Sequence, residues 1–274
     1  ETVNRSYAEA HGYHFISHCR KYSEIIADIQ PRKHCTWYKV YMLLRLLEDR
    51  EMLQNKRIKY LMWVDADAVV VDHQIKLEDI VLKAGNRDLI IAEDMNEGCL
   101  LNAGVFMVKV SEWSCLLWKE VWSSELSKNY HDVCFYEQSA LIRILKSKSE
   151  GLHHVKPFHS YSKSRAASTA APRTTTKGKE VKLFAHVAVL VRSAFNTNIE
   201  DTHGPEAPDF IFHPAGRRDK LQLILRVLSK RKIRLPEDKK EEILNMQDFR
   251  ILISDRNGMK EENLRNKKVK NKND

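Results

Sequence analysis

Two aspartates, Asp65 and Asp67, stand one residue apart directly after the apolar run Tyr60-Leu61-Met62-Trp63-Val64. Such a run predicts a buried strand, and ligand sites of open α/β sheets lie beyond the carboxyl ends of strands. Two carboxylates at this position can both reach one hard divalent cation that also takes phosphate oxygens. The alternative is a solvated turn, because Asp-x-Asp often occurs there by chance. The strand favours a metal and diphosphate site.

A histidine, His213, follows a second apolar segment, Phe210-Ile211-Phe212, and two arginines come shortly after it. A neutral imidazole would complete a mixed carboxylate and histidine site, which a divalent metal such as Mn²⁺ accepts. Arg217 and Arg218 could neutralise a departing diphosphate through bidentate contacts. Taken separately, the histidine is more simply structural and the arginines are a solvated helix start. The metal hypothesis therefore requires His213 to lie close to the aspartates.

Polar residues surround a loop that we predict between two strands. Asp94 stands before this loop, and Asn102, Ala103 and Gly104 stand after it. Small residues would let a sugar approach the backbone closely, while the amide of Asn102 could bind hydroxyl groups. The alternative is an ordinary polar connection.

Glu137 and Gln138 open a predicted helix after Phe135-Tyr136. A carboxylate in the first turn is favoured electrostatically in any helix, so a purely structural role is a strong alternative. If this turn faces a cleft, either side chain could stabilise positive charge that develops at an anomeric carbon.

The pattern of apolar residues predicts strands that alternate with helices, and this alternation indicates an α/β fold. The predicted helices cover residues 6–11, 37–48, 112–126, 135–145 and 221–228. The predicted strands cover residues 13–17, 58–64, 88–92 and 104–110, and order resumes at 181–191 and 209–213. Residues 160–179 lack periodicity and predict a mobile insertion, and the end of the chain, rich in Lys and Asn, predicts disorder.

The 274 residues carry a net charge of +9. A charge of this size suggests nucleic acid binding, but its distribution along the chain argues against it. Residues 216–236 contain eight basic residues and one acidic residue, so most of the excess lies in one segment. A nucleic-acid-binding protein usually spreads basic and aromatic residues over a broader face, so we predict no such partner. RNA binding through residues 217–234 is the remaining alternative. The five cysteines lack zinc or redox spacing, although one pair could form a disulfide.

The ordered motifs together resemble glycosyltransferase family 34, which contains fungal α-galactosyl and α-mannosyl transferases and plant xyloglucan xylosyltransferases. The resemblance runs from about Asn4 to Gly216. It rests on the motifs Asn4-Arg5-x-Tyr7-Ala8-x-x-His11-Gly12-Tyr13, Trp37-x-Lys39, Trp63-Val64-Asp65-Ala66-Asp67-Ala68, Asp94-Met95-Asn96, Asn102-Ala103-Gly104-Val105-Phe106, Glu137-Gln138-Ser139-Ala140 and His213-x-Ala215-Gly216.

The resemblance implies a metal-dependent transferase that moves a hexose or pentose from a nucleotide sugar to a glycan acceptor with retention of configuration. Asp65, Asp67 and His213 would bind Mn²⁺ or another divalent cation. Gln138, Glu137 and Asp94 would be catalytic. The donor would be bound by Lys39, Asp65, Asn102, Ala103, Gly104, Gly216, Arg217 and Arg218. The departing diphosphate or a carboxylate nucleophile would assist the reaction. Tyr136 replaces one of two consecutive acids of plant members, so an inactive glycan-binding or scaffold relative is the rival hypothesis.

The resemblance also implies a GT-A fold, a Rossmann-like mixed sheet flanked by helices, whose first strand would lie outside this chain. We predict a catalytic domain over residues 1–235 and a charged, partly disordered tail over 236–274. We expect the Golgi lumen, with a type II membrane anchor outside this sequence. The resemblance leaves assembly with itself or with other glycosyltransferases open.

Overall fold

The computed structural model describes residues 1–18, 20–29, 33–94, 100–148, 181–198, 200 and 210–233. Contacts divide the chain into Glu1–Ile233 and Arg234–Asp274, and all described residues belong to the first unit. The predicted insertion at 160–180 and the predicted tail at 236–274 therefore lie outside the described residues.

Short helices alternate with strands along the described chain. The helices are α1 (Thr2–Ala10), α2 (Tyr22–Asp28), α3 (Tyr38–Glu48), α4 (Arg50–Asn55), α5 (Leu77–Lys83), α6 (Glu112–Ser123), α7 (Glu125–Lys128), α8 (Tyr136–Ser147), α9 (Arg192–Phe195) and α10 (Lys220–Lys230), with a 3₁₀ turn at Cys35–Trp37. The strands are β1 (Tyr60–Val64), β2 (Val69–Val70), β3 (Leu89–Glu93), β4 (Leu101–Lys109), β5 (Lys182–Leu183), β6 (Val187–Leu190) and β7 (Ile211–Phe212).

Five strands form a mixed sheet in the order β1-β4-β3-β6-β5. β3 and β6 are parallel, whereas the β1–β4, β4–β3 and β5–β6 pairs are antiparallel. β2 and β7 form a separate antiparallel pair. The predicted α/β class, with a mixed sheet flanked by helices, is confirmed.

Strand β3, at the centre of the sheet, is buried on both faces because apolar residues occupy successive positions. Leu89 and Ile91 belong to a core that also contains residues of α3, α6 and α8. Ile90 and Ala92 point to the opposite core, where residues of α1, α5 and α9 pack. Side chains alternate across a strand, so one continuous apolar run supplies both cores.

The strand predicted at 58–64 is β1, but its surroundings differ from the prediction. An apolar run suggested a parallel strand covered on both faces. Instead β1 lies at the edge of the sheet, pairs antiparallel with β4, and is half-buried along its whole length. The apolar pattern gives the strand but not its neighbours, since any long apolar run looks the same in sequence.

Two other local predictions are corrected. Residues 13–17 form no strand. Tyr13 packs through its side chain instead: its hydroxyl donates to Glu78 at 2.6 Å and accepts from the Leu77 amide at 3.1 Å. The strand predicted at 104–110 begins earlier, at Leu101, so Asn102 and Ala103 are strand residues as well. Their sequence resembles a turn, but Asn102 lies opposite Ala92 of β3 and the Gly104 carbonyl accepts from the Asp65 amide.

The helix predicted at 112–126 ends earlier than expected. Ser111 accepts a hydrogen bond from the Ser114 amide and begins α6, as predicted. Ser124 caps α7 in the same way and adopts an extended conformation, which breaks the helix after Ser123.

None of the helices in the described ranges is long and apolar enough to cross a membrane. Cys115 and Cys134 are free thiols, and Cys19 and Cys99 lie outside the described residues.

Candidate functional site

Asp65, Asp67 and His213 converge at the end of β1. One side-chain ligand atom from each residue lies within 4.8 Å of the other two. The pairing of β2 with β7 explains this proximity. Val69, two residues after Asp67, lies opposite Phe212, which directly precedes His213. The expected closeness of His213 to the aspartates is therefore confirmed as geometry.

Asp65 is fixed by contacts on several sides. Its backbone amide donates to the Gly104 carbonyl at 2.8 Å, which continues the pairing of β1 with β4. The Trp63 indole N–H donates to Asp65 Oδ1 at 2.6 Å, and Lys39 Nζ lies 3.0 Å from the same oxygen. The carboxylate is thus held at the strand end with its orientation set.

Asp67 is shared by an imidazole and an ammonium group. His213 Nε2 lies 3.1 Å from Asp67 Oδ1, and Lys220 forms an ion pair with Oδ2. Burial alone would raise the pKa of Asp67, but the hydrogen bond to His213 and the charge of Lys220 lower it well below the ordinary value. Asp67 is therefore ionised at neutral pH.

The tautomer of His213 follows from a chain of hydrogen bonds that begins at a backbone amide. The Gly104 N–H donates to Asn102 Oδ1 at 2.9 Å, so this atom is an acceptor. Asn196 Nδ2 must therefore be the donor to Asn102 Oδ1 at 2.8 Å, and Asn196 Oδ1 faces His213 Nδ1 at 3.2 Å. His213 Nδ1 therefore carries a proton. Nε2 is the ring nitrogen that faces Asp67: it donates to this carboxylate when it is protonated and offers a lone pair to a cation when it is not.

In the neutral Nδ1–H imidazole, the lone pair of His213 Nε2 faces a carboxylate oxygen of Asp67. Two acceptor atoms 3.1 Å apart repel each other unless a proton or a metal ion lies with them. The donor set of two carboxylates and one imidazole suits Mn²⁺ and similar divalent metals. The residues present therefore fit the divalent cation that the sequence predicts.

Lys39 joins the candidate metal ligands Asp65, Asp67 and His213, together called the metal group, to α8. Its ammonium lies 3.0 Å from Asp65 Oδ1 and 3.1 Å from Glu137 Oε1, and it donates to the Ala103 carbonyl at 2.9 Å. Burial lowers the pKa of Lys39, yet Asp65 and Glu137 together raise it above its ordinary value. The side chain stays charged although it is buried.

Gln138 joins the same turn of α8 to the sheet. Its Nε2 donates to Asp94 Oδ2 at 3.2 Å, and its Oε1 accepts from the Ala103 amide at 2.7 Å. Asn102 Nδ2 also donates to Asp94 Oδ2, at 3.1 Å. The three residues Asp94, Asn102 and Gln138 thus form one polar network beside the metal group.

The turn that begins α8 is strained. Phe135 and Tyr136 have φ values of 66° and 38°, in a backbone region that residues other than glycine rarely adopt. Glu137 follows, and its Oε2 is buried with no hydrogen-bond partner within the described part of the chain. Strain and an unsatisfied carboxylate oxygen both favour a functional turn over a purely structural one.

The predicted donor-binding residues of the 216–218 segment are exposed. Gly216 has a φ of 73°, which favours glycine, and no atom lies within 4 Å of an added Cβ. Arg217 pairs with Asp219 at 3.3 Å, and Arg218 makes no recorded polar contact within the described ranges. In this part of the chain, the basic residue that contacts the metal group is Lys220, two positions after Arg218.

Three residues of the site were missed from the sequence: Asn4, Asn196 and Lys220. Asn4 holds the segment after Asp67, because its amide donates to the Ala68 carbonyl and its Oδ1 accepts from the Val70 amide, both at 2.9 Å. Asn4 lies in a recognised motif and Lys220 in the basic segment, so signals existed for both. Asn196 follows a short apolar stretch and carries no distinguishing signal.

One comparison with known proteins supports the predicted family. The model of the galactosyl transferase GMA12/MNN10 family matches residues 3–97, which include Lys39, Asp65, Asp67 and Asp94. Over these residues the match supports the family prediction and indicates a glycosyltransferase. The comparison with curated proteins gave no significant match.

Among solved structures, a glycosyltransferase involved in the glycosylation of the major capsid of PBCV-1 matches with a TM-score of 0.46 and 13% identity. The match covers 85% of this chain and 89% of that chain.

Proposed function

We propose that this chain, whose residues 3–97 match the galactosyl transferase GMA12/MNN10 family, is a metal-dependent retaining glycosyltransferase. It would move a hexose or pentose from a nucleotide sugar, such as UDP-galactose, UDP-xylose or GDP-mannose, to a glycan acceptor. Localisation in the Golgi lumen is part of the proposal and rests on the family resemblance.

The observation that carries this proposal is the pair formed by Asp67 and His213. The hydrogen bond to Asn196 occupies His213 Nδ1 and leaves Nε2 facing the Asp67 carboxylate, with Asp65 close enough to complete the set. A divalent cation bound there would neutralise charge on the donor diphosphate. The binding residues are held before any donor arrives, since Trp63 and Lys39 fix Asp65.

The polar network of Asp94, Asn102 and Gln138 fits recognition of the donor sugar. Its amide and carboxylate groups can donate to and accept from sugar hydroxyls. Ala103 and Gly104 lie beside the network in β4, where their small size admits close approach to the backbone. We assign these residues to orienting the sugar.

In the proposed reaction the bond between the anomeric carbon and the diphosphate oxygen breaks, and a bond to an acceptor hydroxyl oxygen forms on the same face. The acceptor proton passes to the departing diphosphate. Glu137 is held by Lys39 at 3.1 Å, which disfavours it as a nucleophile. Glu137 and Gln138 instead place negative charge and an amide dipole near the positive charge that develops at the anomeric carbon.

A cavity next to the strained turn fits the acceptor. It has a volume of about 370 Å³ and is lined by Tyr22, Lys33, His34, Asp132 and Tyr136, among others. The His34 and Tyr136 rings stack with centroids 3.8 Å apart. The C–H face of a sugar ring packs on aromatic rings, and Asp132 and Lys33 can bind its hydroxyls. Tyr22→Ala should weaken acceptor binding while donor hydrolysis without acceptor stays at the wild-type rate.

The rival hypothesis is an inactive relative that binds a glycan. Tyr136 at a position where plant members have an acid favours it, since only Glu137 remains as a carboxylate in this turn. Such a protein would bind an oligosaccharide but would show no metal-dependent binding of a nucleoside diphosphate.

The deciding experiment measures Mn²⁺-dependent hydrolysis and transfer with UDP-galactose, UDP-xylose and GDP-mannose. We expect activity with one donor, abolished by EDTA and restored by Mn²⁺. Asp67→Asn should reduce this activity at least about 100-fold. Changing a residue that only supports a metal ligand costs up to about 100-fold, and Asp67 would itself be a ligand. Glu125→Gln, an exposed carboxylate on α7, is the matched control. Full activity of Asp67→Asn would disprove the metal assignment.

A further inference from the structure

Lys220 binds one oxygen of the Asp67 carboxylate, which a divalent cation would also need. Its ammonium pairs with Asp67 Oδ2, while His213 lies at Oδ1 of the same carboxylate. Lys220 is the first residue of α10, and about one fifth of its side chain is exposed. The residue therefore lies at the border of the metal group, with part of its side chain open to solvent.

The charges around the site explain why the Lys220 ammonium lies beside Asp67 when no cation is bound. Asp65 and Asp67 lie together, Asp65 shares Lys39 with Glu137, and this one ammonium compensates only part of the negative charge. Carboxylates gathered in a partly buried site repel one another unless cations balance them. The ammonium of Lys220 supplies the balance that a divalent cation would otherwise provide.

The beginning of α10 offers a second place for the same ammonium to act. The N-terminal residue Asp219 makes no side-chain cap, so the first amide groups of α10 have no side-chain acceptor from it. Uncapped amides at the start of an 11-residue helix attract phosphate oxygens. A diphosphate bound there would lie within reach of Lys220, which begins this helix.

We propose that Lys220 occupies the Asp67 carboxylate in the nucleotide-free protein and transfers to the donor diphosphate when cation and nucleotide bind. Lys220 thereby competes with the cation before the donor arrives and assists the donor afterwards. This inference rests on the proposed function, because it requires the same cation and diphosphate. It makes cation and nucleotide binding mutually dependent.

The test is Lys220→Met, which removes the charge but keeps the length of the side chain. Calorimetry would measure the affinity for Mn²⁺ alone and then the affinity for UDP and GDP at saturating Mn²⁺. We expect Mn²⁺ alone to bind about tenfold more tightly and the preferred nucleotide about tenfold more weakly, because a charged hydrogen bond is lost. The matched control is Lys230→Met at the other end of α10, which should change neither affinity.

The two opposite changes separate this role from a structural one. If Lys220 only shapes Asp67, both affinities would fall together, and if it has no role, neither would change; either result overturns the inference. Lys220→Arg keeps the charge and should preserve nucleotide affinity. If wild-type protein binds neither Mn²⁺ nor either nucleotide, the proposed function fails and this inference fails with it. Normal Mn²⁺ and nucleotide binding with no opposed shifts contradicts the inference alone.

Discussion

Gly104 lies directly against the His213 ring. A Cβ added to Gly104 would stand 2.1 Å from His213 Cε1 and 2.7 Å from Nδ1. Real side chains do not approach so closely, and His213 cannot retreat because it is buried and hydrogen-bonded to Asn196. The absent side chain at position 104 therefore creates the space in which the imidazole ligand sits.

Gly104→Ala should displace His213 from the metal group. We expect the free energy of unfolding to fall by about 1–3 kcal/mol, as for other overpacked sites, and Mn²⁺ affinity to fall at least tenfold. Chemical denaturation and calorimetry would measure the two quantities.

Gly12→Ala is the control for that variant. Gly12 has a φ of 70° and no atom within 4 Å of an added Cβ, so the change strains the backbone without touching the site. It should lower stability but leave Mn²⁺ affinity unchanged. Unchanged Mn²⁺ binding in Gly104→Ala would show that the His213 ring position does not matter for the metal.

Asn196→Ala should weaken metal binding without removing a ligand. The variant frees His213 Nδ1 from its acceptor, so the proton is no longer confined to that nitrogen and the ring is less well oriented. We expect Mn²⁺ affinity to fall about 10–100-fold, the usual effect of losing a partner of a metal-bound histidine. Calorimetry would measure it, with Asn129→Ala at the exposed end of α7 as control. A loss below about threefold would contradict the tautomer that we derive.

The extent to which the sequence predicts this protein differs between strands and contacts. The β3 run Leu89-Ile90-Ile91-Ala92 is apolar at every position, so its burial on both faces follows from the pattern. The half-burial of β1 does not follow, because which strand forms the edge depends on pairing between residues distant in the chain. Asp65 and Asp67 were predictable because two carboxylates after a strand have specific chemistry.

The supporting residues behind those carboxylates were harder to predict. Packing of α1 against β2 brings Asn4 to Ala68 and Val70, so the motif that contains Asn4 marks the residue but not its partners. The basic segment likewise marks Lys220 without its partner, and Asn196 gains its role only from the partners that the fold gives it. Arg217 and Arg218 had the more conspicuous pattern, yet the ion pair to the metal group is made by Lys220.

Lys39→Met should be among the most destabilising single changes in the site. It leaves Asp65 and the buried Glu137 without their shared cation, and removing one partner of a buried ion pair costs about 3–5 kcal/mol. Adding Glu137→Gln removes the uncompensated charge, so the double variant should recover part of the loss. Urea denaturation would measure both. Equal stabilities of the single and double variants would show that the Lys39–Glu137 pair is not coupled.

Mn²⁺ should stabilise the folded protein through Asp67. A ligand that binds only the native state adds about 2.7 kcal/mol at a concentration 100 times its dissociation constant. Wild-type protein should therefore unfold at a clearly higher temperature with Mn²⁺ than with EDTA. Asp67→Asn should lose this shift, because the neutral amide replaces an ionised ligand that contacts both His213 and Lys220. Glu48→Gln, which alters an exposed ion pair with Lys119, should keep the full shift. An Mn²⁺ shift of wild-type size in Asp67→Asn would place the cation elsewhere.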